Sequence, residues 1–142
     1  MKKYITQSEE ETRDLAKTLA KQLNGVIALT GELGAGKTTF IQGFAQGLGI
    51  KEKIISPTFV LIRQHRIPKL RKNLPAGRQA LFHIDLYRLD NLAELGLKEI
   101  IENPENIVLI EWAEKAKMLL PKNTTYIKFI SLSENKRQII IY

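Results

Sequence analysis

Gly31-Glu32-Leu33-Gly34-Ala35-Gly36-Lys37-Thr38 fits the pattern G-x-x-x-x-G-K-[ST]. The glycines let the backbone curl round phosphate groups and aim N–H donors at them. A helix starting near Lys37 would add the positive end of its dipole. In this pattern the lysine reaches the β- and γ-phosphates and the hydroxyl after it takes Mg²⁺. That assigns Lys37 to phosphate and Thr38 to metal, with Thr39 beside it. A glycine-rich turn could match by accident. With glycine near ~7% of residues, the odds in a chain this short are on the order of one per cent or less.

The flanks supply the context that the motif requires. Val26-Ile27-Ala28-Leu29 is a short apolar run before the loop, read as a buried strand. Phe40, Ile41, Phe44 and Leu48 recur at helical spacing after it, until Gly49. Upstream, Ser8 with Glu11 reads as a capping box opening a helix whose stripe is Leu15, Leu19 and Leu23. Downstream, Phe59 to Ile62 and Leu81 to Leu86 read as strands. Asp90 or Asn91 caps a helical stretch carrying Leu92, Leu95, Ile100 and Ile101, broken near Gly96. Ile107 to Ile110 is another apolar strand, closed by Glu111. A short helical stretch ends at Pro121, and Tyr126 to Leu132 with Gln138 to Tyr142 form a terminal hairpin around residues 134–137. Early helix–strand alternation with later hairpins predicts an α/β sheet of mixed direction, in a single domain over 1–142.

Composition narrows the chemistry. The 142 residues contain no cysteine, so disulfides, thiolate catalysis and Cys-ligated metals are excluded. Two histidines cannot make a His-rich metal site. The longest apolar run is four residues, against roughly 18 for a membrane span. The lysines at the N-terminus are followed by no apolar stretch, so no signal peptide is expected there and the cytoplasm is the expected compartment. The formal charge is +7, from 22 Lys+Arg against 15 Asp+Glu. Six of those bases (Arg63, Arg66, Lys69, Arg71, Lys72, Arg78) fall in residues 63–78 with no acid among them, leaving 16 against 15 elsewhere. Pro68, Pro75 and Gly77 make that segment read as an inserted basic loop or hairpin, about 63–79.

A phosphate loop needs a further acid for its metal shell, at the end of a buried strand. Glu111 fits; otherwise an acid there is a solvated strand end or a surface ion pair. Trp112 either fills the core or borders the site. Asp85 lies within the apolar run Phe82-His83-Ile84-Asp85-Leu86, where a lone carboxylate is costly. It could orient an attacking water or hold a magnesium-bound one; paired with Arg88 or Lys98 it would be structural. Lys37, Asp85 and Glu111 are thus the candidate catalytic residues, and Thr38 and Glu111 the candidate metal ligands. His83 is read as a structural hydrogen-bond partner. Ser56-Pro57-Thr58 is either a switch loop sensing the γ-phosphate or a plain proline turn. The chain has no N-K-x-D-like loop for guanine, which favours ATP.

Four segments, Gly31 to Thr39, Ser56-Pro57-Thr58-Phe59, His83 to Leu89 (with Asp85-Leu86-Tyr87-Arg88) and Ile110-Glu111-Trp112, occur in the order that resembles the TsaE (YjeE) family. These are small bacterial P-loop ATPases of tRNA threonylcarbamoyladenosine synthesis. The resemblance runs over roughly residues 4 to 130. It implies a P-loop NTPase-like three-layer α/β domain with a mixed sheet and C-terminal hairpin. It also implies ATP–Mg²⁺ held by Glu32, Leu33, Gly34, Ala35, Gly36, Lys37, Thr38 and Thr39, with Thr58 and Trp112 bordering it, Glu111 in the metal shell and Asp85 a required acid. The implied activity is weak ATP hydrolysis that drives assembly and turnover of the TsaB–TsaD complex, with tRNA met only through that complex. The long basic insertion between Phe59 and His83 departs from the family pattern, and no family role carries onto it.

Two other classes compete. A small nucleotide or metabolite kinase shares the phosphate loop, and the basic segment could serve as its lid. A nucleic-acid-binding module would use that segment to attract phosphates without reading sequence.

Overall fold

Along Val26-Ile27-Ala28-Leu29, alternate side chains enter opposite apolar layers, and that division organises the whole chain. The computed structural model describes residues 1–54, 62–68, 80–87 and 96–142. In chain order these form β1 (Lys2–Thr6), α1 (Glu9–Leu19), β2 (Val26–Thr30), α2 (Lys37–Gly47), β3 (Ile62–Arg66), β4 (Ala80–Asp85), α3 (Leu97–Glu102), β5 (Asn106–Glu111), a 3₁₀ segment (Ala113–Leu119), β6 (Thr125–Ser131) and β7 (Arg137–Ile141). One sheet of seven strands has the order β1-β7-β6-β2-β5-β4-β3. The four central strands β6, β2, β5 and β4 run parallel, while β7, β1 and β3 are joined through antiparallel pairs. The expected mixed α/β sheet and terminal hairpin are present.

Ile27, Leu29, Ile107 and Leu109 pack under α1 and α2, against Ala16, Leu19, Phe40, Ile41 and Phe44. Val26, Ala28, Val108 and Ile110 face the other way, onto Leu97 and Ile101 of α3 and Ala113 and Ala116 of the 3₁₀ segment. Because β2 and β5 are apolar on both faces, they belong at the middle of a three-layer stack.

The Ser8 hydroxyl caps α1 by accepting from the Glu11 N–H at 3.1 Å, while the Glu11 carboxylate accepts from the Gln7 N–H at 2.6 Å. The regular helix ends at Leu19, short of Leu23, in a tapering turn in which Leu23 N–H still donates to the Leu19 carbonyl. Helices α1 and α2 touch through glycine: a Cβ on Gly43 would stand 2.3 Å from the Arg13 carbonyl oxygen, and one on Gly47 2.7 Å from that of Lys17.

Three differences from the sequence reading stand out. Lys2–Thr6, which has no strong strand signal, pairs with β7 as the sheet's outer strand. Arg63 and Arg66, placed in the inserted loop or hairpin, stand on β3, paired in register with His83 and Ala80 of β4, so the strand runs further into the basic segment than Ile62. Strand formation there is set by pairing with the apolar β4 and not by local composition. The stretch before Pro121 is 3₁₀ with a kink at Ala116. The expected strand at Phe59 to Leu61, the Ser56-Pro57-Thr58 turn, the rest of the basic insertion (69–79) and the cap at Asp90 or Asn91 lie outside the described residues.

Candidate nucleotide-binding site

The loop after β2 delivers its last glycine to the start of α2. Gly36 sits at φ 101°, a left-handed conformation that suits glycine, and forms the N-cap without a side-chain capping bond. The first turn of α2 also carries no acid. Its leading N–H groups and dipole are therefore presented to whatever lies before the helix.

Strand order sets the rest of the site. β5 lies beside β2, and β4 beside β5, with Leu29, Glu111 and Asp85 in register at their C-terminal ends. A parallel sheet so places two acids from strands 26 residues apart next to the phosphate loop. A cleft of about 460 Å³ opens there, lined by Leu33, Gly34, Gly36, Lys37, Thr38, Thr39, Asp85, Glu111 and Trp112, all expected site residues. Two expected residues stay out of it: the Ala35 side chain is buried in the apolar layer under α2, and exposed Glu32 serves the loop by accepting from the Ala35 N–H through its backbone carbonyl. Thr58 lies outside the described residues.

Lys37 folds back, its ammonium donating to the Gly31 carbonyl and lying 4.3 Å from the centre of the Trp112 ring. Burial lowers its pKa, while Glu111, Glu114 and Asp85 pull it back up. Trp112 answers both readings made of it. It packs against the lower apolar layer and it borders the cleft. Its backbone is left-handed (φ 57°, ψ 40°), which turns the chain sharply off the end of β5. Tyr87 packs against it, the rings tilted by 43° with centres 5.0 Å apart.

Glu111 is buried, and His83 Nε2 lies 2.7 Å from its Oε2, which bears out the structural reading of His83. Nδ1 of His83 has no hydrogen-bond partner among the described residues. Asp85 accepts from the Tyr87 N–H at 2.9 Å. Burial raises its pKa first of all; the Tyr87 bond lowers it and the nearby Glu111 raises it further.

These residues fit a bound Mg²⁺–nucleotide. Two acids crowd one strand-end edge, and a divalent cation between them and phosphate would relieve the repulsion. Among the described residues no group of three or more His, Asp or Glu side chains is placed to hold a metal. The candidate metal set is therefore Thr38 and Glu111 completed by phosphate oxygens, the usual arrangement for magnesium.

The far wall of the cleft was not anticipated. Glu9 and Thr12 of α1 and Asn135 and Arg137 of the terminal hairpin form it, and Tyr87 beside Trp112 completes the lining. Arg137 donates through Nη2 to the Gly34 carbonyl at 3.1 Å, across 103 residues of sequence. The only local signal was one arginine opening the strand Arg137–Ile141 ahead of Ile139, Ile140 and Ile141.

Comparison with known proteins follows the same lines. The family model described as "Threonylcarbamoyl adenosine biosynthesis protein TsaE" matches residues 6–139. The chain is 36% identical over 140 residues to the tRNA threonylcarbamoyladenosine biosynthesis protein TsaE of Bacillus subtilis (strain 168), covering 96% of this chain and 82% of that one. It is 38% identical over 146 residues to the TsaE protein of Aquifex aeolicus (strain VF5), covering 100% and 96%. Among solved structures, the crystal structure of Bacillus subtilis YdiB superposes with a TM-score of 0.77 at 34% identity, over 97% of this chain and 82% of that one.

Proposed function

Because the chain belongs to the TsaE family, the threonylcarbamoyl adenosine biosynthesis proteins, we propose that it is the ATP-binding, weakly ATP-hydrolysing component of tRNA threonylcarbamoyladenosine synthesis. The observation that carries this is the convergence in one cleft of the glycine loop with Lys37 and Thr38, and the register-matched acids Asp85 and Glu111.

The division of labour follows from position. The loop and the open start of α2 bind the phosphates through N–H groups. Lys37, released from the Gly31 carbonyl, adds a cation. Thr38 and Glu111 hold magnesium, with His83 fixing the Glu111 carboxylate. When bound, that ion supplies positive charge opposite the phosphate oxygens. Asp85, in register with Glu111 and accepting from the Tyr87 N–H, is placed to orient a water at the same edge. Trp112 and Tyr87 wall off the outer side.

A site with these parts, in a chain of 142 residues with little room for a second substrate domain, suits an ATPase acting on partner proteins. We take the partners to be TsaB and TsaD, with tRNA reached only through them, and the compartment to be the cytoplasm. Among the described residues no helix is long and apolar enough to cross a membrane. A kinase reading draws less support, since among the described residues the cleft's cations are Lys37 and Arg137 and not a set of clamping arginines.

The test is size-exclusion chromatography of the protein with TsaB and TsaD, in ATP–Mg²⁺, in ADP and without nucleotide. Association that depends on ATP, and threonylcarbamoyladenosine formation that stops when this protein is withheld, are the expected results. Nucleotide-independent behaviour, or phosphate transfer from ATP to a nucleoside or nucleoside monophosphate, would overturn the assignment.

A further inference from the structure

We propose that Arg137 is a positioning residue of the phosphate loop, clamping its apex to the β6–β7 turn. The inference rests on the nucleotide reading above and deepens it. The Arg137 guanidinium is held by three backbone oxygens: Nη1 donates to the Ser133 carbonyl at 2.7 Å and the Lys136 carbonyl at 3.1 Å, and Nη2 donates to the Gly34 carbonyl at 3.1 Å. Its stem lies along the loop as well. Arg137 Cγ and Nε are each 3.7 Å from where a Cβ on Gly36 would stand. One side chain therefore bonds Gly34 to a hairpin turn and runs beside Gly36, with one residue between the two glycines.

The physical reason for a clamp lies in the loop's composition. Glycines at 31, 34 and 36 give the free loop many backbone conformations, and ordering them opposes phosphate binding. Apart from the Gly36 carbonyl, which accepts from the Phe40 N–H of α2, the loop's own described hydrogen bonds are few: the Ala35 N–H to the Glu32 carbonyl, and the Lys37 ammonium on the Gly31 carbonyl. The second is surrendered when Lys37 turns to phosphate. The planar fork of Arg137 remains, and the entropic cost of ordering is met before the ligand arrives. It also engages the Gly34 oxygen, whose partial negative charge would otherwise stand unopposed in a cleft meant for anions.

Topology gives the clamp its place. The acids reach the loop from β5 and β4 on one side of β2, whereas Arg137 reaches it from β7, past β6, on the other. The loop is thus braced on the side away from the metal-binding edge.

The experiment uses the full chain with Arg137→Gln and Arg137→Lys. Three quantities are measured: amide hydrogen exchange of residues 31–39 without nucleotide, affinity for Mg²⁺-bound ATP and for inorganic tripolyphosphate, and the split between kcat and KM. Arg137→Gln should speed loop exchange in the free protein and weaken ATP and tripolyphosphate alike by roughly tenfold. KM should rise by much more than kcat falls, and Arg137→Lys should recover part of both effects. Unchanged loop exchange overturns the proposal. So does a loss of ATP affinity with tripolyphosphate binding intact, which would make Arg137 a nucleoside contact. If the wild-type protein binds neither ligand, the nucleotide reading itself falls; if wild type binds and Arg137→Gln matches it, only the clamp does.

Discussion

His83 Nε2 and Glu111 Oε2 lie 2.7 Å apart on adjacent parallel strands, with both side chains buried. The pair gives the buried Glu111 side chain a hydrogen-bond partner beside the phosphate loop. Removing the imidazole leaves that acid without its partner and opens a cavity. His83→Ala should cost about 3 kcal/mol, read from urea denaturation. Glu111→Gln keeps an acceptor for His83, so stability should hold while Mg²⁺-dependent hydrolysis drops about 100-fold. A Glu111→Gln protein that hydrolyses ATP normally would remove Glu111 from the metal shell.

Lys37 and Trp112 make a built-in reporter. The ammonium lies 4.3 Å from the ring centre, and Trp112 is the chain's one tryptophan. When Lys37 turns to phosphate, the indole loses that cation, so intrinsic fluorescence should change on titration with ATP–Mg²⁺. Lys37→Ala should show an altered baseline and no titration. It should also lose about 100-fold in hydrolysis with its circular dichroism spectrum retained. A nucleotide-dependent signal of normal size in Lys37→Ala would contradict this.

Asp85 ties function to pH. Its folded pKa is raised, chiefly by burial, above the ordinary 3.8. The folded protein therefore holds this proton more tightly than the unfolded chain. Stability is lost as pH rises from 3.8 through the folded pKa, and the penalty persists at neutral pH. Asp85→Asn retains an acceptor for the Tyr87 N–H and removes that penalty. The variant should be more stable than wild type at pH 7, should converge with it in acid below 3.8, and should hydrolyse ATP at least about tenfold more slowly. Thermal melts across pH, with and without the substitution, give the comparison; a less stable Asp85→Asn at neutral pH would refute it.

The α1–α2 contact tests packing apart from chemistry. Any Cβ at Gly43 meets the Arg13 backbone, which cannot move aside as a side chain can. Gly43→Val should destabilise by about 2 kcal/mol or more and lower Tm, measured by calorimetry. Unchanged stability would mean the helices separate freely.

Much of this architecture is legible in local pattern. The run Gly31 to Thr38, with an apolar strand before it and a helical stripe after it, predicts strand, loop and helix, and the structure has them in those places. Glu111 at the close of Ile107 to Ile110 and Asp85 within the Phe82 to Leu86 run stand out because apolar strands rarely carry acids. Both line the cleft. By contrast, Lys2–Thr6 and Arg63 to Arg66 are strands only because β7 and β4 offer them partners. Periodicity cannot report a partner that lies far along the chain.

The chain's own order of residues determined the phosphate loop, the buried strands, the two acids and the family they belong to, because each depends on neighbours within a few residues. Only the tertiary structure decided that Glu111 is held by His83, that Trp112 is both core and wall, and that Arg137 from the last strand closes on Gly34. Those contacts join segments separated by between 28 and 103 residues in the hydrogen bonds just named. Sheet order, not local preference, brings them to one edge.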